Sequence, residues 1–167
     1  MTTVGDSSER QLNGHALSSL LAAAAESYEL REALTLNSDD LAPRAARSFT
    51  RKVLTDWGFD ELADRALLIV SELTTNARHH GRTKPESEAE LITLTLAVVQ
   101  DGVVDIELAD NSPEPPTPRV SGPGAVDGRG LLLISAEADA WTVRLNEDGS
   151  GKTVRAVLTR RPVAASL

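Results

Sequence analysis

Glu72, Asn76 and His80 in the segment SELTTNARHHG are polar groups spaced four residues apart. In a helix that spacing stacks them on one side, one turn above another. A carboxylate and an amide oxygen so arranged are hard donors that suit Mg²⁺, which shares its remaining positions with water and substrate phosphate. The same spacing also arises where a helix end carries polar residues into water, and spacing alone does not choose. His79 and His80 have no cysteine and no third histidine at ligand spacing, so zinc is not expected. Asp110 closes the run VVDIELAD, where a strand-end carboxylate either accepts a hydrogen bond from a ligand or caps the next turn. Gly128 and Gly130 flank Arg129 ahead of the apolar run LLLI. Glycines at a helix start leave N–H groups open to an anion, or serve only as loop residues.

These groups need elements to hold them. With residues placed about 100° apart around a helix, Leu62, Ala66, Ile69, Val70, Leu73 and Ala77 form one apolar stripe. Asn76 and His80 fall inside it and Glu72 lies on its edge. An unpartnered carboxylate or amide on a core face costs several kcal/mol, which makes this helix, from about Asp60 to Gly81, the most informative segment. A preceding helix is predicted from about Asp40 to Trp57, with N-caps available from Asn37, Ser38 and Asp39. Strands are predicted over LREALTL, ITLTLAVV and VVDIELAD, the last two joined at Asp101-Gly102. A helix over about Arg129 to Glu137 and a hairpin of WTVRLN and TVRAVLTR complete the pattern. The segment from Asn111 to Arg129 holds five of the eight prolines and reads as a long functional loop. Strands with one polar and one apolar face belong to an antiparallel sheet covered on one side. The expected fold is therefore an α+β two-layer sandwich, with a mixed, mainly antiparallel sheet and helices on one face.

A chain of 167 residues suits one domain. The boundaries expected are an N-terminal extension at 1–28, one domain at 29–160 and a tail at 161–167. The extension is polar to about residue 14, then carries Leu17, Leu20, Leu21 and Ala24 at helical spacing. That short helix would cover a sheet face or build a homodimer contact. Without cysteines the fold stands on packing rather than disulfides. A net charge of -8 and 3% aromatic residues argue against direct nucleic-acid binding, which needs basic faces and stacking platforms. No stretch approaches the roughly 20 apolar residues of a membrane span, and the start lacks a signal-peptide pattern. No membrane association and a cytoplasmic location are expected.

SELTTNARHHG resembles the N-box of the ATPase fold shared by DNA gyrase, histidine kinases and anti-sigma-factor serine kinases, the Bergerat fold. The branch it resembles is the small, single-domain, anti-sigma-factor-like group of actinomycetes. ELADNSPEPP is similar to that branch's first glycine box, GRGLLLI to its second and GKTVRAVL to its closing strand. These motifs run in the family's order over roughly Leu30 to Leu158, and their specificity lies in the set.

The resemblance implies ATP and Mg²⁺ as ligands and a role for each matched residue. Asn76 would bind Mg²⁺, and Glu72 would polarise an attacking hydroxyl or water. Asp110 would accept a hydrogen bond from the adenine amino group, with Thr153 supporting it through a shared water. Ser112 follows Asp110 within the first box. His80 would contact phosphate or bond within the fold. Gly128, Arg129, Gly130 and Leu131 would receive phosphates at the helix start, under a lid formed by the proline-rich loop. Two departures stand out. The superfamily's DxGxG is absent, since Asn111, Ser112, Pro113 and Glu114 follow Asp110 in a form that matches the actinomycete branch, and His79 and Arg155 stand where that branch usually has Arg and often has Trp.

Two functions follow from the resemblance. One is an ATP-dependent serine/threonine kinase that phosphorylates an antagonist and so controls a sigma factor or another transcription regulator. The other is a docking module that regulates its partner without phosphate transfer.

Overall fold

The computed structural model describes residues 30–99, 102–114 and 129–160. The expected extension helix, the C-terminal tail, Gly128 and most of the proline-rich loop lie outside them. The described chain runs β1 (Leu30–Asn37), α1 (Ala42–Asp56), a 3₁₀ turn (Asp60–Leu62), α2 (Ala63–His80), β2 (Leu91–Val99), β3 (Val103–Asp110), α3 (Arg129–Glu137), β4 (Ala140–Leu145) and β5 (Lys152–Thr159). The described strands form one sheet in the order β1-β2-β3-β5-β4, with every neighbouring pair antiparallel. None of the described helices is long and apolar enough to cross a membrane.

Local chemistry explains the boundaries. Asp39 Oδ1 accepts from the backbone N–H groups of Leu41 and Ala42 at 2.9 and 3.1 Å, satisfying donors at the start of α1. Gly58, at φ 78°, turns the chain out of α1 in a conformation that L side chains disfavour. The stripe expected on α2 is the buried one, with Leu62, Ala66, Ile69, Val70, Leu73 and Ala77 all packed inside. Thr74 is buried beside it, and its hydroxyl donates to the Val70 carbonyl at 2.7 Å.

Strand alternation divides the sheet into two faces. Ile92, Leu94, Leu96 and Val98 of β2, Val104, Ile106 and Leu108 of β3, and Val154, Ala156 and Leu158 of β5 join the helices in one core. The opposite face carries Thr95, Ala97, Val99, Asp105, Val157 and Ala140, all buried. Val99, Ala140 and Val157 form a second small apolar cluster there, separate from the helix-packed core. The described helices do lie on one face as expected, but the second face is not the water-facing surface that simple alternation implies.

Arg65 locks α2 to the far edge of the sheet. Its guanidinium donates to the Glu137 carbonyl from Nε at 3.0 Å and from Nη2 at 2.7 Å, and Nη2 also reaches Asp139 Oδ2 at 3.1 Å. Asp139 in turn accepts the Thr159 N–H at 2.7 Å. Helix α2 is thereby fixed against α3 and β5, the elements that border its polar end.

Candidate functional site

The C-terminal half of α2 meets the ends of β3 and β5 in a cleft lined by Leu73, Asn76, Ala77, His80, Leu108, Asp110, Ile134, Lys152 and Val154. Three side chains singled out in the sequence, Asn76, His80 and Asp110, thus share one site although 30 residues and more separate the first two from the third. Asn76 is half-buried and His80 exposed, so they form the mouth, while Asp110 is buried at the inner end. Glu72 stands one turn before Asn76, half-buried. No hydrogen bond or ion pair engages Glu72 or Asn76 among the described residues. Burial raises the Glu72 carboxyl above its ordinary range, since desolvation penalises its charged form.

Asp110 is built in tightly. Its Oδ1 accepts the Ser112 N–H at 3.0 Å and the Lys152 ammonium at 3.0 Å, while its Oδ2 pairs with the same ammonium at 2.9 Å. Burial raises its pKa, and Lys152 and the Ser112 N–H pull the other way without cancelling the effect. Two glycines make the room it needs. A Cβ on Gly81 would lie 2.5 Å from Asp110 Oδ2, and a Cβ on Gly151 would lie 2.1 Å from the Asp110 carbonyl oxygen. The helix end and the β5 approach are therefore both shaped around this one residue. Ser112 is buried and joins the site through its backbone, donating to Asp110 and accepting from Lys152 at 3.2 Å.

Thr153 is not brought to the cleft. It pairs with Ala109, and alternation points it to the opposite face, whereas Lys152 pairs with Asp110 and points inward. Parity is the reason: Lys152 shares its side of β5 with Val154, Ala156 and Leu158, the core-facing set. A lysine at the same parity as three apolar residues of one strand is the signal in the sequence for this inward placement. Arg129, Gly130 and Leu131 open α3, the helix that also brings Ile134 to the cleft, and Gly128 lies outside the described residues.

The donor set fits a purine nucleotide with a hard metal ion. Asn76 supplies an uncommitted oxygen at the mouth, of the kind a hard metal ion takes, and Asp110 supplies a buried carboxylate that an amino group could use only in place of the Lys152 ammonium. Inside its mouth the cleft narrows to about 30 Å³ of water-accessible space, less than a purine base fills.

A single antiparallel sheet backed by helices, with its polar site at the end of the second helix, defines a histidine-kinase-type ATPase fold. The family model of the histidine kinase-like ATPase domain matches residues 36–158, and the chain belongs to that family. Solved structures with the same fold include the RsbU and RsbW domains of Rv1364c from Mycobacterium tuberculosis, at 20% identity and a TM-score of 0.59, covering 78% of this chain and 32% of that one. The SiaB-SiaC complex from Pseudomonas aeruginosa matches at 18% identity and a TM-score of 0.55, covering 90% of this chain and 99% of the matched chain. The chain thus spans about a third of the first of these structures. A comparison with curated protein sequences gave no significant match.

Proposed function

We propose that this protein binds ATP with Mg²⁺ in the cleft between α2 and the β3–β5 edge and acts as a serine/threonine kinase on a protein partner that controls transcription. The observation that carries the reading is the convergence of Asn76, His80 and Asp110 on one cleft in a chain of this family. Asn76 would hold the metal through its amide oxygen, and Asp110 would hold the base. Glu72, made a stronger base by burial, would take the proton of the partner's hydroxyl as a general base. ATP supplies the transferable γ-phosphoryl group, and catalysis by such a site is mostly positioning and charge stabilisation. The structural neighbours, which include an RsbW domain and a complex of two proteins, support a role exercised on a partner protein.

Calorimetric titration with ATP and Mg²⁺ tests the first step. The native protein is expected to bind, and Asn76→Ala to bind roughly tenfold more weakly or worse, as loss of a metal-holding group implies. Absence of heat with the native protein, or equal affinity in the variant, would remove the nucleotide reading. The narrowness of the cleft favours a second reading, a docking module that regulates its partner without phosphate transfer. Transfer of labelled γ-phosphate to a serine of a co-encoded antagonist separates the two, because a docking module leaves the antagonist unlabelled.

A further inference from the structure

Lys152 is a cation in a place where a nucleotide pocket has no need of one. Its side chain is 4% exposed and that of Asp110 5% exposed, so the pair is withdrawn from water together. An ammonium has three hydrogens to donate, and here three acceptors surround it: Asp110 Oδ1 at 3.0 Å, Asp110 Oδ2 at 2.9 Å and the Ser112 carbonyl at 3.2 Å. Asp110 is equally committed. One oxygen accepts from both Ser112 and Lys152, and the other lies against Gly81 so closely that a Cβ there would stand 2.5 Å away. A purine amino group needs one of these oxygens and the space in front of it. Lys152 occupies both, and about 30 Å³ remains beside it.

The pairing is built into the sheet rather than reached by a flexible surface arm. Asp110 and Lys152 face each other across the β3–β5 ladder, and the lysine stem lies on the core side with Val154. Burying two charges is expensive, and such a pair persists only where geometry and extra hydrogen bonds compensate, as the Ser112 contacts do here.

We propose that Lys152 is an internal competitor of the nucleotide base: its ammonium holds the carboxylate that a purine amino group would use, and nucleotide enters only as that ion pair opens. The inference rests on the nucleotide reading above and assigns the lysine control over how tightly nucleotide binds. When the base is seated, the ammonium moves off Asp110 and out to water, and the energy of breaking the pair is subtracted from the affinity.

Parallel calorimetric titrations with ATP and Mg²⁺ on the native protein and on Lys152→Thr test this. Threonine keeps a hydroxyl that can donate to Asp110 while removing the charge and shortening the side chain. The variant is expected to bind at least about tenfold tighter, since truncating a competing charged hydrogen bond releases its acceptor. Equal or weaker binding by the variant, with the native protein binding, overturns the inference and leaves the nucleotide reading intact. If neither protein binds, the nucleotide reading falls and the inference with it. Removing one member of a buried pair can itself prevent folding, so a second measurement uses the native chain alone. Acetylation of Lys152 by an amine-reactive reagent, read by peptide mass spectrometry, should be slow without nucleotide and several times faster at saturating ATP and Mg²⁺. Continued protection of Lys152 while calorimetry shows the site filled overturns the proposal.

Discussion

Gly151→Ala is expected to destabilise the protein by about 3 kcal/mol or more, the upper end of overpacking costs, and to lower its Tm on the order of 10 °C. The added Cβ would stand 2.1 Å from the Asp110 carbonyl oxygen and 3.1 Å from the Asn111 Cα. Both are backbone atoms, so no rotamer change relieves the contact, and the end of β3 must separate from the start of β5. The Asp110–Lys152 rung lies next to the point of separation, and its buried ion pair would be pulled apart with it. Gly81→Ala is expected to cost less, because its one main-chain contact, the Ala77 carbonyl oxygen at 2.8 Å, is less severe than the one at Gly151, but its Cβ would stand 2.5 Å from the Asp110 carboxylate and should impair nucleotide binding by turning that carboxylate away. Thermal unfolding of both variants checks the order. A Gly151→Ala protein that melts within a degree of the native one would mean that β3 and β5 do not approach this closely in solution.

On the opposite face of the sheet, Asp105→Asn is expected to gain stability relative to the native protein as pH rises. Asp105 is 1% exposed, with Oδ1 accepting from Arg155 Nε at 2.9 Å and Oδ2 2.8 Å from Arg155 Nη2. Burial pushes its pKa from the ordinary 3.8 to about 6; Arg155 opposes the rise, and Glu107, which shares Arg155 at 3.4 Å, adds to it. A carboxyl with a raised folded pKa binds its proton more tightly folded than unfolded. The native protein therefore loses stability as pH climbs from about 4 to about 6, and the loss is complete above that window. The rise from 3.8 to about 6 corresponds to a penalty on the order of 3 kcal/mol. Asparagine does not ionise and escapes it. Denaturant midpoints of the two proteins at pH 4 and pH 7 should shift in the variant's favour by that order. Curves that stay parallel across the window would show that Asp105 ionises in the fold as readily as in the unfolded chain.

Much of the architecture could be read from periodicity because each element presents one apolar face to one partner. The stripe from Leu62 to Ala77 needed only a helical wheel, and Ile92, Leu94, Leu96 and Val98 needed only alternation. The bend after α1 was written in Gly58. The long segment read as a single helix from Asp60 divides into a 3₁₀ turn and α2, a change of hydrogen-bond register that side-chain pattern does not record. Asp105 and Glu107 alternate with the core-facing Val104, Ile106 and Leu108 of β3 and so lie on its other side, yet Asp105 is buried there. Alternation tells which face a residue takes and nothing of what lies against that face.

Thr153 shows the limit most clearly. Motif likeness favoured the threonine, yet a one-residue difference in a strand reverses the face, and it is Lys152 that enters the cleft. The chain alone determined its strands and helices, the family it belongs to and the types of group at its polar helix end, because these depend on local pattern and on strings of neighbouring residues. Only the folded sheet decided that Asp110 faces a lysine, that two distant glycines clear its place and that the cleft is narrow. Those outcomes depend on strand register and on the few ångströms between backbones far apart in the chain, which no local pattern specifies.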